Sequence, residues 1–340
     1  MTSAPLTMSY KVIPFQTEVH RQALLNLWKD NFKPLHGDGY VDKRFVWLYH
    51  ENPFGSARTW IALEPRSDAV IGAGTIFPFH RYVGGRLVKT GVTVDFAVDK
   101  KHRVGGAALA IQRAVTRGSF EIGFDFLLGK PNEKAQPIFE RVGYQSIGDA
   151  QSWTKLLGTE DERTGAPDLS IYSDEMLTVA DERFDELWNA ARSGYVIIGD
   201  KSTAFLNWRY GYVKEQGYRF YCLLSRENLR LLGYLVFYPL KKGRAFFIED
   251  VFCERGAGAI IDNLLLGFAS RMKMRGVEWI GLSYTGAPWF KEHLQRLGFR
   301  HGQHRYKLSV YAGPHLPSEL VQQILDENNW FIFGGEADIF

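Results

Sequence analysis

The sequence predicts an α/β protein in which one mixed, twisted sheet flanked by helices is built twice, in tandem. Three observations carry this. Between Thr93 and Tyr144 a strand, a glycine-rich turn, a helix, a second strand and a second helix follow one another. A set of aromatic, glycine and acidic residues recurs at a nearly constant spacing in the two halves. Elsewhere, short runs rich in Val, Ile and aromatics alternate with amphipathic helices, which is the pattern of a sheet with parallel members.

Glu18 to Asn31 has apolar residues at helical spacing, and Asp181 to Ser193 repeats the pattern. Strand pairs follow each helix: Thr59 to Leu63 with Ala69 to Phe77, then Phe220 to Leu224 with Leu231 to Phe237. Thr93 to Val98 reads as the central strand of the first half, Arg103 to Ala108 as the turn, and Leu109 to about Arg117 as a helix. Phe124 to Gly129 is a second strand, and Pro131-Asn132 opens a helix that closes at Gly143-Tyr144. In the second half, Asp250 marks the central strand and Ile260 to Met274 the helix after it. Pro314 to Phe340 reads as a short helix and an aromatic tail, Trp330-Phe331-Ile332-Phe333, docked against the second half.

The repeat is visible residue by residue. Trp47 and Trp208, Tyr49 and Tyr210, Gly72 and Gly233, and Pro78 and Pro239 are each 161 apart. Further on the spacing falls to 155, for Asp95 with Asp250 and for Gly143-Tyr144 with Gly298-Phe299. A spacing that changes once is what one loop deletion produces. The expected organisation is therefore a first unit over 1–157, a charged Gly/Pro-containing linker over 158–169, a second unit over 170–312, and a tail over 313–340.

Composition narrows the function classes. The chain of 340 residues is 45% hydrophobic and 23% charged, enough for two ordinary cores. A net charge of +3 gives no concentrated basic face and no case for nucleic acid as partner. No apolar run approaches the ~18 residues of a membrane span, and Met1 to Met8 lacks the basic and apolar regions of a signal peptide. The expectation is a cytoplasmic protein whose two cysteines, Cys222 and Cys253, stay reduced, with no metal site.

A strand feeding a small-residue turn and then a helix gathers free backbone N–H groups at one point, a site suited to a pyrophosphate. Arg103-x-x-Gly106-x-Ala108 resembles the acyl-CoA-binding turn of the GNAT acyltransferase superfamily, whose pattern is Arg/Gln-x-x-Gly-x-Gly/Ala. Asn132-x-x-Ala135 and Gly143-Tyr144 resemble that family's second helix and its closing Gly-aromatic pair. The resemblance implies acetyl-CoA or a longer acyl-CoA as co-substrate. The amides of Val104, Gly105, Gly106, Ala107 and Ala108 would hold the pyrophosphate. Phe96 to Val98 would pair with the pantetheine arm, an N–H near Val98 would polarise the thioester, and Asn132 would contact the pantetheine region. The family's thiolate-protonating tyrosine falls at position 139, where this chain has Phe139, and a phenyl ring has no proton to give.

Acyl transfer to an amine also needs a base. Asp95 leads, three residues before Val98, with a structural role for the same carboxylate as the competing reading because Asp250 recurs in the other half. His36, in a Gly-rich loop, and His80, at a strand end, are alternative bases. Glu249 and Asp250 form an acidic pair that could meet an amino group on the acceptor. The second half lacks a matching arginine and asparagine, so acyl-CoA is placed in the first half. The segment Trp47 to Pro53 could form an aromatic rim, although core packing accounts for it as well.

The tandem layout resembles GNAT-like proteins tied to bacterial surface polysaccharides. It implies a small-molecule acceptor, an amino sugar carried on a nucleotide. A protein or peptide amine, and a CoA-binding scaffold or sensor without activity, are the alternatives; homodimerisation stays open.

Overall fold

The computed structural model describes residues 10–32, 39–158, 167–168, 170–211, 216–255, 258–302 and 306–336. The first repeat runs β1 (Lys11–Pro14), α1 (Thr17–Phe32), α2 (Tyr40–Val46), β2 (Arg58–Leu63), β3 (Val70–Val83), β4 (Arg86–Val98), α3 (Ala107–Glu121), β5 (Phe126–Gly129), α4 (Gln136–Val142), β6 (Gln145–Asp149) and β7 (Gln151–Leu156). The second runs β8 (Tyr172–Leu177), α5 (Glu182–Ala191), β9 (Ile197–Gly199), α6 (Thr203–Gly211), β10 (Arg219–Ser225), β11 (Leu231–Leu240), β12 (Ala245–Cys253), α7 (Gly258–Met274), β13 (Trp279–Gly286), α8 (Pro288–Arg296), β14 (Arg300–His301) and β15 (Lys307–Ala312). It is followed by α9 (Ser318–Leu325) and β16 (Trp330–Phe333). The mixed α/β class read from the sequence is the class observed. The central hairpin is longer than the sequence pattern suggested: β3 and β4 pair antiparallel from Gly72↔Val98 to Val83↔Arg86, turning at Gly84-Gly85.

All described strands belong to one 16-stranded sheet. Parallel pairs, β4 with β5 and β12 with β13, sit at the heart of each repeat. Helix α3 lies close on β3, because a Cβ at Gly72 or Gly74 would fall 2.6 or 2.9 Å from Ile111. That close approach lets α3 start directly beyond the end of β4.

The two repeats exchange their last strands. β7 pairs antiparallel with β13 (Trp279↔Leu156 to Tyr284↔Gln151), in the second repeat's part of the sheet. In return β15 pairs antiparallel with β5 (Ser309↔Gly129 to Ala312↔Phe126), in the first repeat's part. Neither repeat therefore completes its own sheet from its own residues.

A local two-fold axis passes between Trp47 and Trp208. Their rings stack 4.4 Å apart at an interplanar angle of 10°. Each indole donates to the other's carbonyl: Trp47 Nε1 to Trp208 O at 2.9 Å and Trp208 Nε1 to Trp47 O at 3.0 Å. Residues that the sequence spaces 161 apart thus meet face to face at the core. The main core, from Leu24 and Trp28 of α1 to Phe331 and Phe333, spans both repeats.

β16 is the piece that makes the sheet continuous. Trp330↔Ile197 and Phe331↔Ile198 pair it parallel to β9, and β9 in turn extends β3. On its other side Tyr284↔Phe333 to Gly286↔Phe331 pair it antiparallel to β13. Tyr284 already has Gln151 of β7 as its partner on one side, so β16 lies on the side of β12. The aromatic tail is inserted in the sheet between β9 and β13, rather than docked on a surface.

Candidate functional site

The site is built on the divergence of β4 from β5. The two strands pair only over Thr90↔Phe126, Gly91↔Leu127 and Val92↔Leu128. Beyond Val92, β4 continues to Val98 without a partner on that side, a free edge of roughly 17 Å at about 3.3 Å per residue. The last tie is Thr93, whose Oγ1 donates to Leu128 O at 3.0 Å.

Backbone geometry fixes which groups face the gap. Asp99 N donates to Ile71 O of the neighbouring side at 2.7 Å, so in the antiparallel pair with β3 the amide and carbonyl of Val98 point the other way. Arg103 bears this out: its Nε donates to Val98 O at 3.1 Å from the gap side, and its Nη2 donates to Asn31 Oδ1 at 2.9 Å. Arg103 thus ties the turn to the end of β4 and to α1, while the Val98 N–H faces the gap.

The turn ends on Gly106, with φ 91° and ψ −1°, a left-handed conformation that glycine adopts without strain. No atom lies within 4 Å of where a Gly106 Cβ would sit. The first amides of α3, from Ala107 and Ala108 onward, have no carbonyl of their own helix to bond, and the helix dipole adds positive potential there. Gly105 packs under Tyr10, whose hydroxyl would lie 2.4 Å from a Cβ at that position. Val104 is 99% exposed at the tip of the turn. An anion lying along Val104 to Ala108 would meet the amides that open α3 at the end of the β4 edge, while the Gly105 N–H already donates to His102 O at 3.4 Å.

Asp95 sits at a bulge in β4, where Ala73↔Ala97 is followed by Thr75↔Val94, and has φ 48°. Both its oxygens accept from Arg44 Nε at 2.8 Å. The pair is almost wholly buried, with Arg44 also over the Trp47 ring at 5.5 Å. Asp95 therefore pins the bulge to α2 and the two-fold core, and this geometry speaks for the structural reading of the carboxylate. Asp95→Asn is expected to lower the unfolding free energy in urea by about 1–3 kcal/mol. Unchanged stability with lost turnover would return it to the role of base.

Phe139 is buried, ring to ring with Phe96 (6.1 Å) and Tyr144 (4.7 Å), and a Cβ at Gly129 would lie 2.8 Å from it. It forms the apolar floor beside the gap. Asn132 caps the turn into α4, its Oδ1 accepting from Lys134 N (3.1 Å) and Ala135 N (3.0 Å). It stands exposed at the β5 side of the gap.

The other candidates are not brought to this point. His80 faces Lys89 across the hairpin, six residues from Gly74 and so on the order of 20 Å from Asp95. It packs on Phe54 at 4.4 Å, and burial holds its imidazole below the usual histidine range against the opposing pull of Asp200. The structure thus corrects its reading as a base at the site. His36 lies outside the described residues.

Asp250 is likewise corrected as an acceptor contact, because it is locked in a buried ion network. Lys201 Nζ donates to both Asp250 oxygens and to Glu336 Oε1, each at 2.7 Å. Arg81 Nη1 donates to Glu336 Oε2 at 2.6 Å, and Tyr210 OH to Asp250 Oδ2 at 3.1 Å. All four charged side chains are fully buried. Burial opposes the ionised form of Glu336, but Lys201 and Arg81 outweigh it and hold the carboxyl below the ordinary range. Burial pushes Asp250 up against the pull of Lys201. Glu249, 5% exposed, lies against Gly334, where a Cβ would fall 2.5 Å from its Oε1.

The equivalent gap of the second repeat is filled. β12 and β13 pair only through Ile248↔Leu282, and β16 occupies the space beyond. Gly286, with φ 138°, meets the Trp330 carbonyl so closely that a Cβ would lie 1.9 Å from it. Arg209 Nε donates to Gly335 O at 2.6 Å to hold the following residues. The chain's own aromatic strand stands where a ligand strand would pair. Among the described residues only the first repeat's gap is open in this way.

A separate cavity of about 600 Å³, lined by Tyr172, Arg226, Asn228 and Arg230 among others, lies at the β8–β10 edge of the sheet, away from the gap. Among the described residues, no helix is long and apolar enough to cross a membrane, and no group of three or more His, Cys, Asp or Glu could hold a metal.

The fold has solved counterparts. A probable N-acyltransferase from Enterococcus faecalis V583, described as a conserved protein of unknown function, is similar over 90% of this chain and 72% of its own, with a TM-score of 0.71 and 12% identity. A tandem GNAT protein from the clavulanic acid biosynthesis pathway is similar over 91% of this chain and 100% of its own, with a TM-score of 0.56 and 13% identity. A GCN5-related glucosamine N-acetyltransferase region of a fungal multi-domain β-N-acetylglucosaminidase covers 91% of this chain and 39% of its own, with a TM-score of 0.57 and 14% identity. The sequence matches no protein-family model and no curated protein. At these identities the similarity establishes the fold, a tandem GNAT arrangement.

Proposed function

We propose that the chain is an acyl-CoA-dependent N-acyltransferase with one working site, in the first repeat. The observation that carries this is the coincidence of two features at one place. The unpaired β4 edge presents the Val98 N–H, and the α3 turn presents free amides around Gly106 at the end of that edge. An extended pantetheine could add to the edge as a strand while its pyrophosphate rests on the turn. The thioester carbonyl would then lie by the Val98 N–H, which stabilises the oxyanion formed when an amine attacks.

The acceptor in this reading is an amino sugar, carried on a nucleotide, reached from the cleft between the repeats. The tandem layout supports it, as does the likeness to a fold counterpart named for glucosamine N-acetylation. The test is isothermal titration with acetyl-CoA and longer acyl-CoAs. One site per chain is expected, because β16 fills the second gap. Two equivalent sites would refute the assignment. No binding would favour the alternative, a scaffold that keeps the fold without its chemistry, for which Phe139 in place of a proton-donating tyrosine is the specific observation.

A further inference from the structure

Resting on that acyl-transfer reading, we propose that Arg103 is a positioning residue that changes partners when acyl-CoA binds. Its guanidinium gives up the Val98 carbonyl to an amide N–H of the pantetheine arm and turns to the pyrophosphate.

The β4 edge holds a conflict that only such an exchange resolves. In the antiparallel ladder with β3, Asp99 N donates to Ile71 O, so Val98 turns both its N–H and its C=O away from β3 and into the gap. A strand-like arm that pairs with an edge residue uses both groups, accepting from the N–H and donating to the C=O. The Val98 carbonyl is already engaged, because Arg103 Nε donates to it at 3.1 Å. The carbonyl oxygen points into the gap, so a guanidinium bonded to it stands where the arm would lie. Full pairing at Val98 therefore requires that bond to pass from Arg103 to the arm.

What Arg103 holds is weak beside what it gains. Its other bond runs from Nη2 to Asn31 Oδ1 of α1 at 2.9 Å, and both acceptors are neutral oxygens. Among the described residues no carboxylate lies within ion-pair distance of this guanidinium. Arg103 opens the turn whose following residues, Val104 to Ala108, carry the pyrophosphate in the acyl-transfer reading. Exchanging neutral acceptors for anionic phosphate oxygens gains charge-assisted bonds that suit a planar, forked donor. Asn31 has an anchor of its own, since its Nδ2 donates to Leu27 O at 2.8 Å, and it stays at the end of α1 when the arginine leaves. The two contacts of Arg103 are thus a latch across the mouth of the gap, and acyl-CoA supplies both groups that open it.

The test compares wild type with Arg103→Met, Arg103→Lys and Asn31→Ala. Calorimetric titration reads acetyl-CoA binding, and competition reads S-acetylpantetheine, which has the arm but no pyrophosphate. For S-acetylpantetheine, Arg103→Met and Asn31→Ala should both bind about 2- to 10-fold more tightly than wild type, because the competitor for Val98 O is removed or loosened. For acetyl-CoA the two variants should part. Asn31→Ala should again bind more tightly, whereas Arg103→Met should bind about 10- to 100-fold more weakly, because it also loses the phosphate contact. Arg103→Lys should recover most of that loss, and binding to Arg103→Met should depend less steeply on salt than binding to wild type. A brace that only shapes the turn would weaken both ligands in every variant, and that result would overturn the exchange. So would unchanged affinity for S-acetylpantetheine in Arg103→Met. If Arg103→Met fails to fold in urea controls, Asn31→Ala, which leaves the arginine in place, carries the same test. Failure of wild type to bind acetyl-CoA would overturn the acyl-transfer reading and this proposal with it.

Discussion

Glu336→Gln should cost about 3–5 kcal/mol of unfolding free energy, the magnitude expected when one partner leaves a buried ion pair. Arg81, Lys201, Asp250 and Glu336 carry two positive and two negative charges with no exposed surface. Removing one carboxylate charge leaves a net positive charge in that interior, with Arg81 facing a neutral amide and Lys201 retaining only Asp250. Urea unfolding would measure the loss. Lys201→Met alone should be similarly damaging, since it strands Asp250 and Glu336. The double variant should lose less than the two single losses added together, because each strands a charge that the other removes. Additive losses would mean that the four groups do not act as one network. Glu336 also helps hold Gly334 and Gly335 in place, so the same variant should loosen β16 from β9 and β13.

Gly106→Trp should abolish measurable acyl-CoA binding while leaving the fold in place. The conformation at Gly106 costs a side chain about 1–2 kcal/mol, and the open space beside it means no clash within the protein. An indole there would project into the space reserved for the anion. Gly106→Ala separates the two effects: it carries the same strain and little bulk, so it should lose stability comparably but retain much of the affinity. Calorimetry with acetyl-CoA, alongside urea unfolding, checks both. Unchanged affinity in the tryptophan variant would move the ligand away from this turn.

The parts legible in the sequence were those where one local pattern has one meaning. The turn Arg103 to Ala108 reads as a strand-to-helix turn because glycine at 106 is needed for its backbone. The repeat reads from Trp47 and Trp208 because both indoles serve the same axis and cannot change independently. Strand exchange was not legible: β7 and β15 are patterned as strands, but nothing local names a partner. The Arg44–Asp95 pair joins residues 51 apart, and the bulge that aims Asp95 depends on β3. Trp330 to Phe333 reads as a docked tail from sequence because an aromatic run suits a surface groove and a sheet interior equally.

The strand exchange also bears on how the chain is made. β5 forms one wall of the gap proposed for acyl-CoA, and its outer neighbour is β15, from residues 307–312. A growing chain that has released only residues 1–157 has every residue of the proposed catalytic turn but lacks the strand that backs β5. Contacts of such long sequence separation form late and slowly. Until β15 is made β5 presents an unpaired edge, and until β13 is made β7 does the same, each open to pairing with another chain. Competence to bind acyl-CoA should therefore arise only near the end of synthesis, as a single late event that completes both halves together.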